Sequence, residues 1–426
     1  MASYKVQGGK KLKGEIEVFG AKNAVLKQMA ATILAPGRHT LDNAPHIRDA
    51  DSMVEILTQL GATVVRSEAH TLSIDTTKVK DIEPEAELVG HFRSAIVLAA
   101  PLLARFGHVT MVKPGGDKIG ARPITTHLDA FAQFGADVKE NDGRFTLTCP
   151  KLKGAKVILK EMSVTATENA LMLAVTAKGR SEIRVCAVEP EIEDLIKYLQ
   201  KMGAEIKGVN THVLVVDGME HLNPATHTVI PDRLEAGTFL ALGAATKSNI
   251  TVRNVYPDHL DLVLKKLEES GVHLSIESVN GHLADITLEP TEHLKPFNID
   301  TRPYPGFPTD LQAQFGAIMT QAEGESNIFE TLYEGRLGYL NEFRRMGAAV
   351  KYVNSHTGII RGPRTLRGRR ITTLDIRAGA TMLIAALAAR GVSTIERVEL
   401  MERGYENLVE RLRAIGADIV RIEETE

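Results

Sequence analysis

The sequence predicts an α/β fold of two domains, each an inside-out α/β barrel of three repeated units of about 70 residues, with buried helices and outer sheets. Two observations carry this. A phrase such as Leu60-Gly61-Ala62-Thr63-Val64 recurs in varied form six times, around Gly61, Gly135, Gly203, Gly271, Gly347 and Gly416. Successive glycines lie 74, 68, 68, 76 and 69 positions apart, about twice the period of the common solenoid repeats. In addition, every repeat holds a helix-length segment with almost no charge past its first turn. Six such units in 426 residues exceed one core, since single cores stop growing near roughly 250–300 residues.

Each repeat is read in the same order. An apolar helix comes first, over 22–34, 93–103, 167–176, 233–245, 310–320 and 377–389. These segments are rich in Ala, Leu and Met, and a helix apolar on all sides is a buried one. They are also shorter than the ~20 residues that span a bilayer. A short β-rich run follows, such as 181–185, 249–253 or 392–397. An amphipathic surface helix comes next. In 49–60, Met53, Ile56, Leu57 and Leu60 recur at i, i+3, i+4 and i+7, the helical spacing. The repeated glycine then stands where a helix C-terminus needs a left-handed residue, and two strands complete the unit.

Composition narrows the function classes. Lys and Arg number 51 against 54 Asp and Glu, for a net charge of −3, so no basic excess points to nucleic acid. Cys149 and Cys186 sit in strand-like apolar surroundings, which argues for two thiols in a reducing compartment. The first residues lack the apolar core of a signal peptide. With no HExxH, CxxC or GxxxxGK[ST] pattern, nothing supports a metal or a P-loop nucleotide. The 14 histidines are scattered. The expectation is a cytoplasmic protein with no membrane segment.

The chemistry is expected at the helix starts, where free N–H groups and the helix field favour anions. Lys22-Asn23, Arg93, Ser163-Val164, Asp232-Arg233, Asp310 and Arg377 stand at the starts of the buried helices. Arg48, Arg122-Pro123, Glu189, Asp258, Arg336 and Arg403 stand near those of the surface helices. A cation at a helix N-terminus is locally unfavourable, so something negative must offset it. Internal salt bridges with Glu189, Glu191, Asp232 and Asp375 are one solution. A multiply charged anionic substrate between the domains is the better one for the set as a whole. The segment Lys113-Pro114-Gly115-Gly116-Asp117-Lys118-Ile119-Gly120-Ala121-Arg122-Pro123 reads as a mobile loop, a carboxylate and cations beside the anion site, and so as a lid.

Taken in order along the whole chain, these residues resemble the enolpyruvyl transferases. The resemblance rests on Gly20-Ala21-Lys22-Asn23-Ala24, the Pro-Gly-Gly loop ending in Gly120-Ala121-Arg122-Pro123, and Glu189-Pro190-Glu191-Ile192. It also rests on Pro305-Gly306-Phe307-Pro308-Thr309-Asp310-Leu311-Gln312 and Arg403-Gly404-Tyr405. It implies a discontinuous catalytic domain, residues 1–22 with 233–426, and a second domain, 23–232, carrying the loop. It implies transfer of the enolpyruvyl group of phosphoenolpyruvate to the 3-hydroxyl of UDP-N-acetylglucosamine, without cofactor or metal, in a monomer or weak homo-oligomer. Asp310 would be the base on the sugar hydroxyl. Lys22, Arg122 and Arg403 would hold phosphate, and Arg93, Arg336 and Arg377 the carboxylate or the closed arrangement. Asn23, Pro123, Ser163 and Val164 would complete the substrate contacts.

The sequence departs from the family pattern at several points. Asp117 stands where the family usually has the cysteine that gives a proton to C3 and is alkylated by fosfomycin. A carboxylic acid of raised pKa can do the same work, so activity with fosfomycin insensitivity is expected. Thr125 replaces an aspartate that reads uracil, Glu161 a lysine and Thr165 a glycine beside the diphosphate, and Gly335 an asparagine. The acceptor half therefore matches less well than the phosphoenolpyruvate half. Shikimate 3-phosphate or another nucleotide sugar remains an alternative acceptor. A non-catalytic nucleotide-sugar-binding paralogue and the RNA-end cyclases are the readings from other classes.

Overall fold

A computed structural model describes residues 2–116 and 119–423. They fall into two compact units, one of residues 2–19, 119–121 and 231–423, the other of 20–116 and 122–230. Both are α/β, and each carries three sheets on a set of buried helices.

The apolar segments form the buried helices. Lys22–Ala31, Val164–Ala174, Arg233–Ala245, Gln312–Met319 and Ile376–Ala388 are buried along almost their whole length. In the unit containing the C-terminal repeats, the last three of these pack on one another, with Phe239, Phe315 and Leu240 among the residues fully shielded from water. The repeat at Arg93 differs from the continuous helix expected. Arg93–Leu98 is a 3-10 segment that passes into an α-helix only at Ala99–Phe106. Pro101 explains the break, because it has no N–H to give to the carbonyl four residues earlier and is tolerated only in a helix's first turn.

Amphipathic helices cover the sheets' neighbours, at Arg48–Gln59, Thr125–Gln133, Pro190–Lys201, Asp261–Glu269, Leu340–Arg345 and Leu408–Ala414. All six repeat glycines take positive φ, between 86° and 105°. They are the left-handed residues that end these helices and turn the chain into the next strand.

Among the described residues five sheets have four strands and one has three. Each is built on an antiparallel set, and the fourth strand is a short parallel addition: Thr226–Thr228 on Arg38–Asp42, Lys156–Ile158 on Arg180–Arg184, Ile299–Asp300 on Gly324–Phe329, Arg370–Thr372 on Gly391–Glu396 and Lys13–Glu17 on Asn249–Val255. The N-terminal strand Ala2–Gly8 lies between Gly391–Glu396 and Asp418–Glu423, which ties the start of the chain to its end. Among the described residues the three sheets of a unit remain separate. The expected barrel therefore does not close by hydrogen bonding, and the buried helices hold the sheets together instead. No described helix is long and apolar enough to cross a membrane.

Candidate active site

In the unit of residues 20–116 and 122–230, the helix Lys22–Ala31 starts without a side-chain cap. Its first residue, Lys22, is buried and pairs with Asp49 at 2.8 Å. Asp49 is itself buried, in the first turn of the Arg48–Gln59 helix, so a carboxylate offsets the cation that sequence reasoning found out of place. Asn23 follows, half-buried, and its carbonyl accepts from the Lys27 ammonium at 2.8 Å.

Arg93, Arg122 and Pro123 come together. The Arg93 guanidinium donates to the Pro123 carbonyl at 2.9 Å. Gly116 shows how close the loop lies, since a Cβ there would stand 3.0 Å from Arg93 Cβ and 3.6 Å from the Arg122 guanidinium. Gly116 also has φ +122°. Ser163 caps the Val164–Ala174 helix by accepting from the Ala166 N–H at 3.4 Å. His127 joins these pieces: one ring nitrogen meets Thr165 Oγ1 at 3.1 Å, the other Asn169 Nδ2 at 3.0 Å. Glu161, at the position of an expected lysine, accepts from the Thr126 hydroxyl at 3.0 Å.

Burial, with the Arg93 guanidinium adding to it, pushes His127 down to about 3. Its folded pKa is thus below the unfolded value, and the unfolded chain binds the extra proton between the two. The stability due to neutral His127 is fully present above pH ~6.5 and is lost as pH falls toward ~3. Denaturant titrations across that window should show stability declining with acid by about one proton's slope. His127→Gln should flatten that slope, and an unchanged slope would remove His127 from the account.

In the other unit, Asp310 lies in a 3-10 turn, Thr309–Leu311, leading into the Gln312–Met319 helix. Two buried arginines reach it. Arg336 Nη2 stands 2.6 Å from Asp310 Oδ1, and Arg377 Nε 3.4 Å from Oδ2. Asp375 caps the helix that presents Arg377, accepting from the Arg377 and Ala378 N–H groups at 2.8 Å. Arg377 also donates to the Tyr405 hydroxyl at 2.9 Å. Burial alone would lower Arg336, but Asp310, Asp375 and Glu330 outweigh it, and its pKa is raised above the ordinary value. Arg403 ends the 3-10 segment Val398–Arg403, shortly before the surface helix Leu408–Ala414. Asp117 lies outside the described residues.

The residues that sequence reasoning missed are Asp49, His127 and Glu330. His127 had a local signal, four residues after Pro123 and so one helical turn inside the segment that Pro123 introduces. Glu330 had none, because its partners are spread over 301–333.

Comparisons with known proteins bear on this arrangement. The model of the family described as EPSP synthase (3-phosphoshikimate 1-carboxyvinyltransferase) matches residues 6–412. Proteins named UDP-N-acetylglucosamine 1-carboxyvinyltransferase are similar over nearly the whole chain. The one from Geotalea uraniireducens is 41% identical, with 98% of this chain and 99% of the relative covered. The one from Halothermothrix orenii is 41% identical, with 99% and 100% covered. Among solved structures, the enolpyruvyl transferase NikO from Streptomyces tendae has a TM-score of 0.88 at 24% identity, covering 99% of each chain. EPSP synthase from Acinetobacter baumannii has a TM-score of 0.77 at 18% identity, covering 99% of this chain and 100% of that one. These two share the fold. The match of the family model and the full-length relatives together show that this chain belongs to the EPSP synthase family of enolpyruvyl transferases.

Proposed function

We propose that the protein transfers the enolpyruvyl group of phosphoenolpyruvate to the 3-hydroxyl of UDP-N-acetylglucosamine, releasing phosphate, as the first committed step of peptidoglycan synthesis. The observation that carries this reading is Asp310, a half-buried carboxylate held by Arg336 and Arg377 in a chain 41% identical to transferases of that name.

The chemistry follows from these groups. Asp310 takes the proton of the sugar hydroxyl, whose oxygen attacks C2 of the enol. A proton from Asp117 goes to C3, giving a tetrahedral adduct that keeps both the carboxylate and the phosphate. Loss of phosphate from C2 and of a proton from C3 then restores the double bond on the sugar. Lys22, Arg122 and Arg403 meet the phosphate, while Arg93 and the two arginines beside Asp310 stabilise the carboxylate. Fixed cations of this kind act by electrostatic preorganisation. No metal or cofactor is required.

A second acceptor is favoured by one observation. Glu161 is hydrogen-bonded to Thr126, which places a negative group beside the helix that Ser163 caps, where a diphosphate would lie. Phosphate release should therefore be measured with UDP-N-acetylglucosamine, shikimate 3-phosphate and related nucleotide sugars. Turnover is expected with the first, and a preference for shikimate 3-phosphate would overturn the acceptor assignment. The same assay with fosfomycin tests Asp117. With no thiolate to alkylate, activity should persist after prolonged incubation, and time-dependent inactivation would remove Asp117 from its role.

A further inference from the structure

Glu330 is fully buried, yet its carboxylate is saturated with donors. Oε1 accepts from the Thr301 hydroxyl at 3.0 Å and from the Leu332 and Tyr333 N–H groups at 2.8 and 3.2 Å. Oε2 accepts from the Thr309 hydroxyl at 2.6 Å. The backbone is held as well: the Glu330 N–H donates to the His356 carbonyl at 2.7 Å, and its own carbonyl meets His356 Nδ1 at 2.6 Å. A buried ion is costly unless hydrogen-bonded and paired, and two of the donor residues, Thr309 and Tyr333, also touch Arg336, which binds Asp310.

Thr309 is the link. Its hydroxyl gives its one proton to Glu330 and accepts from Arg336 Nη1 at 3.3 Å. The other terminal nitrogen of Arg336 binds Asp310 Oδ1, and the guanidinium lies over the Tyr333 ring, 5.5 Å from its centroid. The polarity thus runs one way, from guanidinium to hydroxyl to carboxylate. Tyr333 both covers Arg336 and donates its N–H to Glu330, which closes the frame.

We propose that Glu330 is a positioning residue for the reaction, acting through Thr309 to fix the Arg336 guanidinium and, with it, the Asp310 carboxylate. The inference rests on the function proposed above. Glutamine cannot replace Glu330 cleanly. Its amide NH2 would face either three donors at Oε1 or a Thr309 oxygen already accepting from Arg336. Valine at 309 is similar in shape to threonine but cuts the chain of hydrogen bonds while leaving the three bonds at Oε1.

The test compares wild type, Glu330→Gln, Thr309→Val and Thr309→Ser by steady-state phosphate release, with thermal melting of each variant. Misplacement of a reacting group by about 1 Å can cost about 10²-fold, so Glu330→Gln and Thr309→Val are each expected to lower kcat by about 10-fold or more. KM for phosphoenolpyruvate should change by less than about threefold, and Thr309→Ser should recover most of what Thr309→Val loses. A folded Thr309→Val enzyme with kcat within about twofold of wild type would overturn the proposal, as would serine and valine being equally impaired. If Glu330→Gln fails to fold, the valine and serine pair still decides. Wild-type phosphate release is the separate control: its failure refutes the proposed function, whereas its success with unaffected variants refutes only the role of Glu330.

Discussion

Asparagine in place of Asp310 should reduce phosphate release by about 10²–10⁴-fold, the usual contribution of a positioned general base. The amide keeps the shape of the carboxylate but cannot take the proton of the acceptor hydroxyl. Its NH2 would also confront Arg336 or Arg377, which now donate to the two oxygens. Acceptor binding, measured by calorimetry, should stay within a few-fold of wild type, since the loss falls on a step after binding. Removing the charge leaves two buried guanidiniums with less compensation, so a lower melting temperature is expected too. Turnover within tenfold of wild type, in a variant shown to be folded, would end the assignment of Asp310 as base.

The second large effect concerns Lys22. Lys22→Met should lower kcat/KM for phosphoenolpyruvate by about 10²–10³-fold, the scale for losing one group aimed at developing charge. The same change takes from Asp49, a buried carboxylate, the ammonium that stood 2.8 Å away. Stability and catalysis can be separated with a second substitution. Adding Asp49→Asn to Lys22→Met should restore much of the lost melting temperature while leaving turnover as low as in the single variant. If the double variant regains activity as well, Lys22 serves the fold rather than the phosphate.

Much of the fold was legible because its signals are periodic. The six glycines announced six helix ends, and all six take the left-handed conformation that was expected of them. The charge-poor segments became the buried helices, with Arg233–Ala245 matching residue for residue. What escaped was short or depended on distant partners. Strands of two or three residues, such as Ile299–Asp300 or Thr226–Thr228, are too brief to show alternation, and they exist because a neighbouring strand offers them a parallel ladder. The barrel was expected from the order of helices and sheets, but whether sheet edges join is set by backbone pairing that residue type does not reveal.

The candidate site divides along the same line. Cations at helix starts pointed to Lys22, Arg93, Arg336 and Arg377, since their positions oppose the helix field and demand an explanation. The explanation included a partner the sequence did not single out, Asp49 for Lys22, and a second part for Asp310, a carboxylate shared by Arg336 and Arg377. Glu330 was invisible because a buried carboxylate and a surface one look alike along the chain. Only the convergence of Thr301, Thr309, Leu332 and Tyr333 distinguishes it.

The repeat glycines differ in what confines them. A side chain added at Gly135 would meet nothing within 4 Å, whereas one at Gly61 would strike the Lys78 carbonyl at 2.6 Å. At the first position handedness of the backbone is the sole constraint, and asparagine, which visits that region more readily than other residues, can take its place at small cost. At the second, no side chain fits without moving the main chain. The repeats can thus lose their shared signature at one helix end with little strain, while another end tolerates no side chain at all.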